Sequence, residues 1–160
     1  MRTTLITALL CAAALFLSYA QAQQSEADRQ ALAQLRAQAA RGDAQAQSEL
    51  GKAFWLGSLG VATNYVEAAK WWHKAAEKNY TEAQYSLGCC YEQGQGVPQD
   101  VVEAYKFYKL VTEQKKITTQ TMEQNRKAAG ENLKQIATRM TAVEIAEGER
   151  RYLEIRSQKI

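Results

Sequence analysis

The chain has 160 residues, which suits one domain, and a formal net charge of +3. Its 20 basic and 17 acidic side chains are too evenly balanced to attract nucleic acid or anionic lipid strongly, so we expect no nucleic-acid partner.

The N-terminus has the pattern of a signal peptide. Arg2 gives a positive start, residues 5–17 are apolar without a charge, and Ala-Gln-Ala at residues 20–22 offers small residues to a signal peptidase. The apolar run is shorter than the roughly 20 residues that a membrane span needs. We predict that residues 1–22 are a signal peptide cut after Ala22, and that the protein is periplasmic or secreted. A retained N-terminal anchor is the alternative, and only then do we expect a membrane partner.

Residues 23–41 are rich in alanine, and their apolar positions recur at helical spacing. Leu35 and Ala39 match Trp72 and Ala76 of the segment that follows. We therefore predict an N-terminal capping helix that covers the open end of a repeat array.

Two segments, about 42–78 and 79–115, repeat one pattern. A period of this length is typical of helical repeat arrays, in which each unit buries its apolar face against its neighbours. The spacing between equivalent residues is 37 at first and 36 after the glycine turn, and the pairs are Leu50 and Leu87, Gly51 and Gly88, Phe54 and Tyr91, Gly57 and Gly94, Gly60 and Gly96, Asn64 and Asp100, Ala68 and Ala104, Trp71 and Phe107, Trp72 and Tyr108.

The repeated glycines predict two features of the packing. A glycine inside a helix costs about 1 kcal/mol relative to alanine, so Gly51 and Gly88 indicate that a neighbouring helix passes too close for a side chain. Gly57 and Gly94 suit the left-handed position that ends a helix.

Helix starts are marked by capping residues. We expect N-caps at Asp43, Asn64, Thr81 and Asp100. After residue 112 the glycine pattern of the repeats ends. We predict that residues 116–160 form C-terminal capping helices. One is a polar helix from about 119 to 138, and the next opens with a capping box of Thr141 and Glu144.

The second segment reads LGCCYEQGQGVPQD and continues with Ala104, Phe107 and Tyr108; the first reads LGKAFWLGSLGV and continues with AAKWWHKAA. Both resemble Sel1-like repeats, although the first has one extra residue between its turn glycines and Asn64 in place of the acidic cap. The resemblance implies an all-α fold: a short right-handed α/α solenoid of two helix-pair repeats, akin to tetratricopeptide repeats, with helical caps at both ends. The positions that it marks as structural are Leu50, Gly51, Gly57, Ala68, Trp71, Leu87, Gly88, Gly94, Gly96, Asp100, Ala104 and Phe107.

Catalytic chemistry finds little support. The single histidine, His73, is expected to be an ordinary exposed residue, and nothing obvious would orient it toward Cys89 as a dyad. Cys89 and Cys90 are adjacent and therefore lack the spacing of zinc ligands. We expect one of them to be a buried thiol and the other an exposed thiol. We therefore expect no catalytic residue, no metal and no cofactor.

A binding surface remains. In related solenoids the first helix of each pair lines a concave groove. The resemblance therefore implies that the residues of these helices that lie opposite the core contact the partner. These are Ser48, Lys52, Trp55, Leu56, Tyr85, Cys89, Glu92 and Gln93. Trp55 would be an anchor if exposed; the alternative is that it packs against the leading helix or the turn.

These observations favour a non-catalytic, exported module that binds a protein or peptide, as a scaffold or adaptor of the bacterial cell envelope. An immunity protein that neutralises a toxin is one alternative, and an enzyme acting on cell-wall or β-lactam substrates is another. A homodimer through the groove is also compatible with so short an array.

Sequencing the N-terminus of the exported protein tests the signal peptide. Cleavage after Ala22 leaves Gln23 as the first residue. A mature chain that still begins with Met1 would instead mean a retained anchor.

Overall fold

The structure is a computed structural model that describes residues 23–158, so the predicted signal peptide lies outside the described residues. Within them the chain forms seven helices and no strand. Helix α1 covers residues 23–40, and the others are α2 (Ala44–Leu56), α3 (Tyr65–Glu77), α4 (Thr81–Gln93), α5 (Val101–Thr112), α6 (Gln120–Ala137) and α7 (Ala142–Ser157). The predicted all-α repeat fold is confirmed.

The helices pack in chain order. Helix α2 packs on α3 and α4 on α5, and α3 joins the two pairs by packing on α4. Beyond the second pair, α5 carries both α6 and α7, and α6 also reaches α4. The two repeats therefore form one stack, with the C-terminal helices attached to its last member.

Gly51 and Gly88 lie where the two helices of each pair come closest. A Cβ at Gly51 would lie 2.7 Å from the Trp72 ring, and one at Gly88 would lie 2.5 Å from the Tyr108 ring. Real Cβ atoms do not approach other atoms so closely, because the repulsion between them rises steeply. The predicted close approach is confirmed, and the neighbour is an aromatic side chain of the paired helix.

The inter-helix turns of the two repeats close in the same way. Gly57 and Gly94 are left-handed, with φ of 67° and 69°, as predicted. The Asn64 N–H donates to the Phe54 carbonyl at 2.8 Å, and the Asp100 N–H donates to the Tyr91 carbonyl at 3.0 Å. The longer first turn thus has the same closure as the second. Its extra length is taken up before Asn64, where Leu59 and Gly60 have φ of 55° and 75°.

Three of the four predicted caps of the repeats have the expected hydrogen bond. The carboxylate of Asp43, the amide of Asn64 and the carboxylate of Asp100 each accept from backbone N–H groups of the first turn. The prediction for Thr81 is wrong: the N-cap of α4 is Tyr80, without a side-chain cap, and Thr81 is the first, buried residue of the helix.

Helix α1 covers the first repeat. Its Leu32 and Ala39 are buried with Ala46 and Leu50 of α2. The buried Gln47 side chain donates to the Ala39 carbonyl at 3.1 Å, which ties the end of α1 to α2.

A third glycine–aromatic contact docks the last helix. A Cβ at Gly148 of α7 would lie 2.7 Å from the Tyr105 ring of α5. Beside it, Glu149 accepts hydrogen bonds from the Tyr105 hydroxyl at 2.7 Å and from Lys109 at 2.9 Å. The capping box of Thr141 and Glu144 that opens this helix is confirmed.

His73 is not the exposed residue that we expected. It is half-buried between the repeats, where its Nε2 lies 3.0 Å from the Tyr91 hydroxyl and its ring meets Tyr91 and Phe107 edge-on. Burial lowers its pKa below the usual 6.5, and the Lys106 ammonium adds to this, whereas Glu103 and Glu77 act in the opposite direction. The neutral ring is therefore part of the packing between α3, α4 and α5.

Replacing Gly51 with alanine should destabilise the fold by about 1–3 kcal/mol, as overpacking of a core does. Gly130→Ala is the matched control, because a Cβ there would meet only Thr112, at an ordinary 3.8 Å. The control should be neutral or more stable by up to about 1 kcal/mol, since alanine is the better helix former. Urea unfolding measures both; equal effects would contradict the close contact.

The folded protein should lose stability as the pH falls from 7.5 to 5.5. Because the pKa of His73 is lower in the folded state, the unfolded chain binds the proton first, and stability is lost as pH falls below the unfolded pKa toward the folded one. Thermal unfolding at the two pH values measures this. His73→Gln should flatten the dependence, and a variant with the same dependence as the wild type would show that another group causes it.

Candidate functional site

Most of the predicted contact residues lie around one hollow of about 410 Å³. Helix α2 supplies Lys52, Trp55 and Leu56, and helix α4 supplies Tyr85, Cys89 and Gln93. We call this hollow the groove. The helical spacing within α2 and α4, the first helices of the two repeats, thus brings together six of the eight predicted contact residues.

Trp55 forms part of the apolar floor of the groove. Its ring centroid lies 4.5 Å from that of Tyr65 and 5.4 Å from that of Trp72, and the side chain is half-buried. Tyr65 opens helix α3, and Trp72 is the ring that covers Gly51. Trp55 therefore packs on α3, while it still lines the groove. Beside it, Leu56 is 60% exposed, which is high for a large apolar side chain.

A third wall comes from outside the repeats. Thr121 and Asn125 of α6 also line the groove. No sequence pattern pointed to these two residues, because α6 does not follow the repeat pattern and its packing angle is set by tertiary contacts. The C-terminal helices therefore shape the site as well as cover the last repeat.

Two of the predicted contact residues have structural surroundings instead. Ser48 borders an adjoining hollow but is only 5% exposed, and its carbonyl accepts from the Trp72 indole N–H at 3.1 Å. Glu92 does not line the groove; it accepts from the Tyr108 hydroxyl at 2.8 Å and from Arg139 at 2.7 Å. We therefore remove Ser48 and Glu92 from the contact surface.

The Glu92 contacts continue into a polar cluster that positions α6. The Tyr108 hydroxyl, which donates to Glu92, accepts from the Asn132 amide at 3.1 Å. Asn132 and Arg139 both belong to the C-terminal part of the chain, so two of its side chains converge on repeat residues. This cluster holds α6 beside α4 and thereby fixes the width of the groove.

Cys89 and Cys90 are free thiols. Cys90 is buried, as one of the two was expected to be, and burial raises its pKa to about 12. Cys89 is half-buried rather than exposed; its sulfur lies 3.5 Å from the Tyr108 hydroxyl, and burial raises its pKa as well. A raised pKa keeps a thiol protonated and a weak nucleophile. His73 makes its contact with Tyr91, so neither partner of the imagined dyad is directed at the other.

The groove extends toward helix α1. An adjoining hollow of about 360 Å³ shares Lys52, Leu56 and Glu82 with it and reaches Leu35 of α1. The open face is thus built by α1, α2, α4 and α6, which leaves room for a segment longer than a single side chain.

Among residues 23–158, no helix is both long enough and apolar enough to cross a bilayer. The same residues contain no group of three or more histidine, cysteine, aspartate or glutamate side chains placed to hold a metal ion.

The comparison with protein families identifies the repeats. The Sel1 repeat model matches residues 44–80 and 81–114. Curated relatives match over less than half of the chain: DAP3-binding cell death enhancer 1 of Rattus norvegicus is 39% identical over 51 residues, 31% of this chain and 10% of the relative. Chitin synthase regulatory factor 3 of Schizosaccharomyces pombe is 43% identical over 65 residues, 39% of this chain and 7% of the relative.

Solved structures match over more of the chain. A protective antigen present in uropathogenic Escherichia coli strains, which displays an SLR fold, aligns with a TM-score of 0.63 and 29% identity over 79% of this chain and 25% of the antigen. A Sel1 repeat protein from Oxalobacter formigenes aligns with a TM-score of 0.58 and 29% identity over 81% of this chain and 52% of that protein.

The chain spans a tenth or less of these curated relatives and a quarter to a half of the solved structures. Sel1 repeats typically mediate protein–protein interactions and are generally non-catalytic. The chain thus carries two Sel1 repeats, at residues 44–80 and 81–114, within the all-helical repeat fold of solved Sel1-repeat proteins.

Proposed function

We propose that this protein is an exported, non-catalytic binding module that holds a peptide segment of a partner protein in the groove. The observation that carries the proposal is the convergence of Trp55, Leu56 and Tyr85 on one open hollow. Their apolar surface remains partly exposed: Trp55 and Tyr85 are half-buried, and Leu56 is exposed. A bound segment would remove that surface from water, which is worth roughly 25 cal/mol per Å².

The shape of the groove suits a peptide better than a small molecule or a flat protein face. It is open along its length, and a second hollow continues it toward α1. Polar side chains that can bond a peptide backbone border the apolar floor: Ser86 and Gln93 from α4, and Asn125 from α6. Apolar contacts with a few placed polar groups are typical of such sites.

The export proposal rests on the N-terminal pattern. Residues 5–17 form a charge-free apolar run, and small residues follow at 20 and 22. The role that we propose there is a scaffold or adaptor of the bacterial cell envelope. The SLR-fold antigen of uropathogenic Escherichia coli is described as protective, and it supports the idea that such a fold can be exposed to a host.

Trp55→Ala and Tyr85→Ala should each weaken capture of the partner in cells by at least about 2 kcal/mol, as loss of a central aromatic contact does. Crosslinking in the native cells, followed by purification and identification of captured proteins, measures this. Val143→Ala is the matched control, since Val143 is apolar, 78% exposed and placed on α7, outside the groove.

Circular dichroism establishes that each variant is folded before its capture is compared. The control should hold the partner as the wild type does. If both groove variants also hold it unchanged, the groove is not the binding site.

A further inference from the structure

The second half of helix α6 is fixed to the repeats. Its Ala129 and Ile136 are buried in one hydrophobic cluster with side chains of α5, and its Asn132 amide donates to the Tyr108 hydroxyl at 3.1 Å. Packing of this kind supplies most of the stability of a helix in a folded protein. The polar cluster that positions α6 therefore acts on its second half.

The first half, residues 120–128, is attached more weakly. None of these residues is buried. The ion pairs of Arg126 and Lys127 both go to Glu123, which belongs to the same half of the helix. A helix shorter than about 12–15 residues is marginal in water unless other elements pack against it. The surrounding protein therefore stabilises the first half of α6 less than the second.

Hollows lie on both sides of this first half. Thr121 and Asn125 line the groove, whereas Thr119 and Met122 line a second hollow of about 470 Å³ that extends to the start of α4. The chain that leads into the helix, residues 113–119, is not helical. The first half can therefore unfold into open space on either side.

Gly130 lies at the boundary between the two halves. Gly51, Gly88 and Gly148 also lie inside helices, and at each of them a Cβ would come within 2.5–2.7 Å of an aromatic ring. In the described part of the chain, Gly130 is the one helix-interior glycine without such a ring, because a Cβ there would meet only Thr112, at 3.8 Å. Close packing thus gives no reason for a glycine that weakens the helix. The helix is therefore most easily interrupted at this residue.

We infer that residues 120–128 form a gate of the groove. The gate unfolds as far as Gly130, which opens the wall made by Thr121 and Asn125, and it refolds when a peptide segment lies in the groove. The bound segment then supplies the contacts that this half lacks, and segments that move on binding are drawn from the least stable parts of a fold. The inference rests on the proposed function, because it describes how the groove admits and encloses the peptide.

Amide hydrogen exchange of the purified protein, followed residue by residue by nuclear magnetic resonance, tests the local unfolding. Each helix amide bonds the carbonyl four residues earlier, so the amides of residues 124–130 report on the gate and those of residues 134–137 on the second half. The first group should exchange at least about a hundredfold faster, because a local opening requires less free energy than the unfolding of a packed helix.

Three variants test the role of Gly130. Gly130→Ala should slow the exchange of residues 124–130 about fivefold, since alanine favours a helix by about 1 kcal/mol relative to glycine. Gln124→Gly should speed it about threefold, because Gln124 is exposed and its loss acts mainly on helix stability. Lys134→Ala, at an exposed position of the second half, is the control and should leave this exchange unchanged.

The reaction of Cys89 with N-ethylmaleimide shows whether the opening concerns the groove. Cys89 is half-buried and lines the groove, so an open wall exposes its sulfur further. Tandem mass spectrometry distinguishes it from the buried Cys90. Labelling of Cys89 should be fastest in Gln124→Gly and slowest in Gly130→Ala.

The outcomes separate this inference from the proposed function. Equal protection of the two halves of α6 would overturn the gate while leaving a peptide-binding groove. Equal labelling of Cys89 in all variants would overturn it too, because the opening would then not uncover the groove. If exchange and labelling behave as expected but Trp55→Ala and Tyr85→Ala still capture the partner, the proposed function and the admission of a peptide are overturned, and only the local unfolding stands.

Discussion

The contact between a helix glycine and an aromatic ring of the next helix sets the geometry on which the rest of the structure depends. Gly51 receives the ring of Trp72, and Gly88 receives the ring of Tyr108. Neither helix pair could pack at this distance with a Cβ at the glycine. Because the contact recurs in both repeats, the two pairs have the same internal spacing and can stack side by side.

The same rings also connect the repeats to the binding face. The Trp72 indole N–H donates to the Ser48 carbonyl, and the same ring packs against Trp55 at the floor of the groove, with the ring centroids 5.4 Å apart. The Tyr108 hydroxyl instead reaches Glu92 and Asn132, which position α6. Trp72 and Tyr108 occupy the same position of the two repeats but have different roles. Trp72 supports the floor of the groove, whereas Tyr108 positions α6, which forms its third wall. The difference follows from the chemistry of the two side chains, since tryptophan can only donate, whereas a tyrosine hydroxyl both donates and accepts.

Much of the fold could be predicted because it is local or repeated. Gly57 and Gly94 stop their helices, and Asp43, Asn64 and Asp100 begin theirs, through interactions within a few residues of chain. The repeat pattern also identified Gly51 and Gly88 as sites of close approach.

The rest could not be predicted because it depends on contacts between elements of unrelated sequence. A helical projection places Ser48 opposite the core, but Ser48 is buried in the folded chain, where its carbonyl accepts from the Trp72 indole N–H of α3. His73 lies off the main apolar face of its helix, yet Tyr91 and Phe107 of the second repeat enclose it. Thr121 and Asn125 could not be assigned to the groove, since α6 has no counterpart in the repeats.

Nuclear magnetic resonance of the indole N–H groups tests the central claim most directly, namely that the face built by α2, α4 and α6 is the binding face. The chain has three tryptophans: the half-buried Trp55 and the almost fully buried Trp72 both line the groove, whereas Trp71 packs with the cluster of α1 and α2. When a peptide that binds the protein is added in increasing amounts, the indole N–H signal of Trp55 should shift most, and that of Trp71 should stay in place. A shift confined to Trp71, or binding without any change at Trp55, would contradict the account.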